Sequence, residues 1–302
     1  MTRPTRGDSP GRAYLDLQNR ARREGRGTQE LLTLYVVERW LARLSDSRFA
    51  EDFVLKGGML LAAFGQRRPT VDADTLARNL ANDADTVIAR VAEIAAISCD
   101  DGVVFLASSA SAMTIRDDAL YAGVRVSMDA RIATASVKLR LDVSFGDPVT
   151  PAPRQVLLPA LRPGMADVAI LGYPIETVLA EKIVTAVDLG AASTRVRDYA
   201  DIFSITSAHD LSRDGVRQAI AATARHRGVE LAPLSERAGG FAALRARTWL
   251  AYRRSLGRQG EQLPEDLADL VAHVVAFADG ILGESATGGR WVATCRTWTT
   301  TG

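Results

Sequence analysis

The stretch LKGGMLLAAFGQRRPTVDAD, Leu55 to Asp74, sets two adjacent glycines before an apolar segment. Beyond Pro69 it places two aspartates separated by one residue. FVLKGG reads as a short strand ending at the glycines, MLLAAFG as a helix opened there, and TVDAD as the start of a second strand. A glycine pair at a strand-to-helix turn lets another group approach the backbone closely, and a helix N-terminus favours anions. Alternate residues of a strand face one side, so Asp72 and Asp74 project together with Cα atoms ~6–7 Å apart. Carboxylates at that spacing suit one or two Mg²⁺ ions. The glycines Gly57 and Gly58 suit the phosphates such ions accompany, and the Thr70 hydroxyl is expected on the same side as Asp72. A tight turn and a solvated edge strand are the blander explanations of the same residues.

A second strand extends the pattern. In ASVKLRLDVSFG, Val137, Leu139, Leu141, Val143 and Phe145 make an apolar face, and Lys138, Arg140, Asp142 and Ser144 the opposite one. Beside TVDAD, this strand would bring Asp142 as a third carboxylate. GVVFLA, SAMTIRD and AGVRVSMDARI are also short and β-branched, predicting a sheet of at least four strands, mostly antiparallel. Helical periodicity covers residues 28–44 and 84–97. After the Pro/Gly-rich GDPVTPAPRQVLLPALRPG it recurs over 174–189, 195–207, 212–227, 239–256 and 264–283. The expected organisation is a flexible arm (1–27), a mixed α/β core domain (28–160), a helical domain (161–284) and a tail (285–302). The fold class is therefore α/β in the α+β sense: a mixed sheet with flanking helices, then a mainly helical region.

Bulk numbers exclude several function classes. The chain has 302 residues, 47% hydrophobic and 24% charged, with net charge +1. It is thus no broadly basic polyanion binder, and contact with nucleic acid must rest on local patches. Cys99 and Cys295 lie in no metal or disulfide spacing, and His209, His226 and His273 read as isolated surface or capping residues. No apolar run is long enough to span a membrane, and the Arg-rich N-terminus lacks the apolar core of a secretory signal. A reducing cytoplasm is the expected setting.

The chain holds only three lysines, Lys56, Lys138 and Lys182, against many arginines. In YPIETVLAEKIVTAVDLG, Lys182 falls inside the apolar stripe of a helix. An unpaired ammonium there costs several kcal/mol, so an anionic partner is required. In STRVRDYADIFSI, Asp198 lies near the inward helix face and Asp201 is expected to point further outward. Lys182 and Asp198 could form a structural ion pair, or a phosphate-binding Lys with a carboxylate for an acceptor hydroxyl.

VLKGGMLLAAFGQRRPTVDAD, VKLRLDVSFGDPV and YPIETVLAEKIVTAVDLGAASTRVRDYADIFSI together resemble the successive motifs of the AbiEii-type nucleotidyltransferase toxins. The resemblance runs from roughly Phe53 to Ser204. It implies a DNA-polymerase-β-like nucleotidyltransferase core, an NTP co-substrate, Mg²⁺, and a cognate antitoxin. It implies too that the protein is the toxin of a type IV toxin–antitoxin pair, a family in which some members transfer nucleotides to tRNA. By this resemblance Gly57 and Gly58 match the phosphate-side turn, Thr70 and Asp72 the Ser/Thr-x-Asp element, Asp74 the second aspartate, and Lys182 and Asp198 the last motif. Met59 departs from the small hydroxyl residue common at its position.

LRARTWLAYRRSLGR adds Arg245, Arg247, Arg253, Arg254 and Arg258 with Trp249 and Tyr252 interleaved. Arg247, Arg254 and Arg258 share a helix face, as phosphate contacts require, although a solvated helix has the same pattern. With the resemblance, RNA, most specifically tRNA at its 3′ end, is the expected acceptor, and its modification would block translation. The alternatives are transfer to a protein or small-molecule hydroxyl, and a non-catalytic nucleotide-binding partner protein.

Overall fold

The computed structural model describes residues 4–70, 72–115, 123–283 and 288–299. Two compact units divide the chain. One takes the residues up to Asp147 together with Arg154–Gly172, and the other takes Pro148–Pro153 and the chain from Tyr173 onward.

The first unit opens with two helices, α1 (Ser9–Glu24) and α2 (Thr28–Ser45). Helix α1 falls in the segment expected to be a flexible arm, and that expectation is corrected here. Asp8 caps it by accepting from the Gly11 amide at 2.7 Å, Gly25 closes it in the left-handed region, and Ala13, Leu17 and Ala21 are buried. These lie four residues apart on one face, and burying Leu17 alone contributes about 1.5–3 kcal/mol. The stripe is narrow and flanked by arginines, which hid it in the composition.

Next come β1 (Phe53–Lys56), the four-residue α3 (Gly57–Leu60) and a 3-10 turn, Leu61–Phe64. The segment read as one helix is thus two short turns. β2 (Ala73–Ala77), α4 (Ala84–Ala95), β3 (Val104–Ile115), β4 (Gly123–Ile132) and β5 (Ala135–Phe145) follow. Asp83 caps α4 by accepting from the Thr86 amide at 2.8 Å. GVVFLA and the described part of SAMTIRD belong to one long strand, β3, with a register shift between Leu106 and Ser111. The Pro/Gly-rich stretch is not a simple linker: it contains β6 (Arg154–Leu158), and β7 (Val168–Gly172) returns to the same sheet.

The seven-stranded sheet has the order β3-β4-β5-β2-β1-β7-β6. It is mixed: β3–β4–β5, β1–β2 and β6–β7 pair antiparallel, whereas β2–β5 and β1–β7 pair parallel. Helices α1, α2 and α4 pack on one side of it. Val124, Val126 and Met128 of β4 and Val137, Leu139, Leu141 and Val143 of β5 are buried there, while alternate residues face away.

The second unit contains α5 (Ile175–Leu189), α6 (Val196–Ala208), β8 (Leu211–Ser212), α7 (Arg213–Arg227), α8 (Leu234–Arg237), α9 (Phe241–Ser255), α10 (Leu267–Leu282), β9 (Arg290–Val292) and β10 (Thr297–Thr299). The last two strands correct the expectation of a loose tail, of which 285–287 and 300–302 lie outside the described residues. Trp291 is buried and donates to the Thr206 carbonyl at 2.7 Å, and Trp298 donates to the Phe277 carbonyl at 3.0 Å. Strands of three residues carry no periodicity to read, so two indole anchors do the docking instead. His273 is likewise no surface residue. It meets Thr206 Oγ1 at 2.7 Å, packs edge-on between Phe203 and Trp291, and is pushed down to about 4 by burial and then by Arg296. Among the described residues no helix is long and apolar enough to cross a membrane.

Candidate active site

Pairing in the central sheet builds a row of charge. Lys56 of β1 is opposite Asp74 of β2, Asp74 is beside Asp142 of β5, and Asp142 is opposite Arg125 of β4. Neighbouring strands lie ~4.8 Å apart, so these four side chains run across the sheet as cation, anion, anion, cation. Both ends are tied down. Arg125 donates from Nε and Nη2 to the two oxygens of Asp142 at 2.7 and 2.5 Å. Lys56 Nζ donates to Asp147 Oδ2 at 2.7 Å, and the Ser144 hydroxyl donates to the same oxygen at 2.6 Å.

The middle of the row is different. Asp74 is raised to about 6, first by burial and next by the charge of Asp72, with Asp142 adding and Lys56 and Arg68 opposing. Asp72 stands just before β2, and the Thr70 hydroxyl donates to its Oδ1 and backbone oxygen at 3.1 and 3.2 Å. This is the side-by-side arrangement the sequence predicts for Thr70 and Asp72.

The glycines serve these carboxylates directly. Gly57 has φ +64°, and a Cβ on it would meet Asp74 Oδ2 at 1.9 Å. At Gly58 a Cβ would meet Thr70 Oγ1 at 3.0 Å. The first glycine therefore combines a left-handed backbone with space for a carboxylate, a pair of demands only glycine meets. The sequence reading assigned that freedom to phosphate alone.

A divalent cation fits Asp72 and Asp74, because it would stabilise the ionised form of Asp74, which burial and the neighbouring charge of Asp72 oppose. Asp142, expected as a third metal ligand, has both oxygens engaged by Arg125. Among the described residues no three His, Cys, Asp or Glu side chains form a group that could enclose a metal ion. Alternation placed Asp142 on the correct face, but the arginine opposite it belongs to another strand and was invisible in β5 alone.

The second unit holds another charged cluster. Lys182 of α5 donates to Asp198 Oδ1 at 2.7 Å and Asp201 Oδ2 at 2.8 Å, both on α6. Arg195 lies 3.5 Å from the other Asp198 oxygen. Lys182 and Asp198 are brought together as expected. Asp201 does not point outward: its side chain is 5% exposed against 15% for Asp198. The i,i+3 spacing of the two acids on α6 was the available signal. Tyr199, between them in sequence, is pushed up to about 12 by burial and by Asp198, and stacks on Phe241 with centroids 4.3 Å apart.

The arginines of the α9 region separate into two kinds. Arg245 donates to the Ser193 and Ala192 carbonyls at 2.7 and 2.9 Å, and Arg253 to the Gly260 carbonyl at 3.2 Å. Trp249 is buried with its indole bonded to the Glu265 carbonyl, and Tyr252 packs beside it. Arg247, Arg254 and Arg258 are exposed. Sequence reasoning missed Arg125, Lys56, Asp147 and Asp201. Lys56 was within reach, as one of three lysines in an arginine-rich chain and immediately before the glycines.

A family model described as "Nucleotidyl transferase AbiEii toxin, Type IV TA system" matches residues 39–273. Among solved structures the chain is similar to MenT4, a nucleotidyltransferase toxin from Mycobacterium tuberculosis H37Rv. The identity is 17% and the TM-score 0.50, over 76% of this chain and 75% of that one. It is also similar to JHP933 from Helicobacter pylori, at 16% identity and a TM-score of 0.47, over 83% of this chain and 90% of that one. At 17% identity the likeness to MenT4 speaks to fold alone. Among curated proteins nothing matches the chain.

Proposed function

This chain belongs to the AbiEii family of nucleotidyl transferase toxins of type IV toxin–antitoxin systems, and from that premise we propose that it transfers a nucleoside monophosphate from an NTP to an RNA hydroxyl, with the 3′ end of tRNA as the acceptor. The hydroxyl oxygen gives up its proton to water and bonds to the α-phosphorus, the bond from that phosphorus to pyrophosphate breaks, and pyrophosphate leaves. Asp72 and Asp74 hold Mg²⁺, which when bound neutralises phosphate charge and lowers the acceptor hydroxyl's pKa. Thr70 fixes the Asp72 carboxylate, Gly57 keeps room for Asp74, and the Gly57–Gly58 turn forms the phosphate side of the site. Arg125 and Asp142 flank the pair as a bonded, charge-neutral neighbour. Lys182 binds triphosphate oxygens as a point charge, with Asp198 and Asp201 holding its ammonium in position. Capped tRNA would block translation, and a cognate antitoxin would restrain the activity.

One observation carries this reading: half-buried Asp74 stands in the sheet row beside Asp142, two residues from Asp72, whose carboxylate Thr70 holds, and Gly57 leaves room for Asp74. Such a pair is poorly stable alone and well suited to a divalent ion. The test incubates the protein with each NTP, labelled at the α-phosphate, and with total tRNA, protein and small-molecule pools in parallel. Label in tRNA supports the proposal, whereas label confined to protein or small molecules replaces the acceptor. Asp72→Ala and Lys182→Ala are each expected to lose nearly all transfer while folded, and retained transfer by either refutes its assigned role.

A further inference from the structure

Beyond the carboxylate row, the same open face of the sheet continues along β3, β4 and β5. Register fixes what stands on it. One step from the row, Arg140 of β5 is opposite Ser127 of β4, which is opposite Ser111 of β3. Two steps away Lys138 is opposite Asp129, and three steps away Ser136 is opposite Arg131, itself opposite Val104. Each step is two residues, ~6.7 Å, so Arg140 lies ~7 Å and Arg131 ~20 Å along the strands from the Asp74–Asp142 row.

The cations of this face are not equivalent. Arg125 is neutralised by Asp142. Lys138 is neutralised by Asp129 at 2.7 Å. Arg140 and Arg131 are exposed and, among the described residues, form no ion pair with an acid. With the other charges cancelled, the face carries a net charge from these two guanidinium groups. Around them are hydroxyls and exposed apolar side chains: Ser111 and Ser127, with Met113 59% and Val104 55% exposed. The helices pack on the opposite side of the sheet, against Val124, Val126 and Leu139. Guanidinium groups, hydroxyls and apolar surface on one face suit a polynucleotide strand, which offers phosphates and base faces along its length.

We propose that the open face of β3–β4–β5 is the track for the acceptor RNA, with Arg140 and Arg131 contacting successive parts of its phosphate backbone on the way to the carboxylate row. This rests on the RNA-acceptor reading above and adds where the acceptor lies. The charge complementarity is specific to a polyanion, and the row-by-row approach to Asp74 leads a strand's end to the reacting groups. The exposed arginines of α9 are then not required for acceptor binding.

The test compares wild type with Arg140→Ala/Arg131→Ala and Arg140→Glu/Arg131→Glu, assayed with labelled NTP and total tRNA over a range of salt. Both positions are exposed strand sites, so unchanged melting temperatures are expected. The alanine pair should raise the KM for RNA about tenfold, leave the KM for NTP unchanged, and reduce the slope of log K against log salt by ~1.4, from ~0.7 per lost contact on a single strand. The glutamate pair should raise the RNA KM further. Wild type that labels tRNA, with variants of unaltered RNA KM and salt slope, overturns the track and leaves the transfer reading intact. If unaltered RNA kinetics accompany lost restraint by a co-expressed partner protein, the face is a protein-docking surface and the track is refuted. Wild type that places label in no RNA at all defeats the acceptor reading, and the track with it.

Discussion

The chain contains two clusters of opposite electrostatic character. On the sheet, burial and the charge of Asp72 outweigh the opposing charges of Lys56 and Arg68, and Asp74 is driven to about 6. On α5 and α6, Lys182 is bonded to Asp198 and Asp201, and Arg195 approaches Asp198, so two cations meet two anions. The first cluster is held in place by the fold against its own repulsion. The second contributes to the fold by compensating itself. Sites that bind an ion from solution are of the first kind, and positioning scaffolds are of the second.

The sharpest way to break that contrast is to neutralise one carboxylate in each cluster. Asp74→Asn should lose transfer by about 10²–10³-fold or more, yet melt at the same temperature as wild type or a few degrees higher, since it removes a repelled charge. Asp201→Asn should instead cost stability, roughly 1–3 kcal/mol, because it weakens a buried ion pair, and melt lower. Equal stability losses in the two variants, read by denaturant titration, would erase the distinction.

A smaller effect comes from Gly57→Ala. The added methyl meets Asp74 and the backbone is left-handed, so the variant should lose about 1–3 kcal/mol. It should also lose transfer about 10–100-fold, through a displaced metal ligand. A variant with normal Mg²⁺ dependence would show that the glycine is only a turn residue.

The pH dependence follows from the sign of each shift. Asp74 is raised, so the fold favours its protonated form. Its ionisation costs stability as pH rises from ~4, the unfolded value, through about 6. Protons and Mg²⁺ then compete: the Mg²⁺ concentration for half-maximal transfer should rise about tenfold between pH 7 and pH 5. A flat Mg²⁺ requirement would remove Asp74 from the metal site. His273 has the opposite sign. It is lowered to about 4, so the fold favours the neutral ring. That contribution is present above ~6.5 and is lost as pH falls through about 4. His273→Phe should therefore show a smaller drop in melting temperature across that window than wild type, the least of these effects.

How much of this was readable beforehand depends on what each residue's neighbour is. The helices α5, α6, α7, α9 and α10 and the alternation of β5 follow from local periodicity, and their expected boundaries lie close to the observed ones, whereas the short α8 was not expected. Asp72 beside Asp74, and Lys182 in an apolar stripe, are also local facts, readable from spacing alone. Arg125 on Asp142 and Lys56 on Asp147 join residues distant in sequence, through strand register that no single segment encodes. Helix α1 escaped notice because its buried face is carried by Gly11, Ala13, Leu17 and Ala21, mostly small residues set among arginines. The terminal hairpin escaped because its strands are three residues long and anchored by tryptophans.

The central claim is that Asp72 and Asp74 form a cation site that is electrostatically incomplete without its ion. Melting temperature against MgCl₂ concentration at pH 7.5, for wild type and Asp74→Asn, addresses it most directly. Wild type should gain several degrees as the site fills, and Asp74→Asn should gain almost nothing. Equal gains in both proteins, or none in wild type, would contradict it.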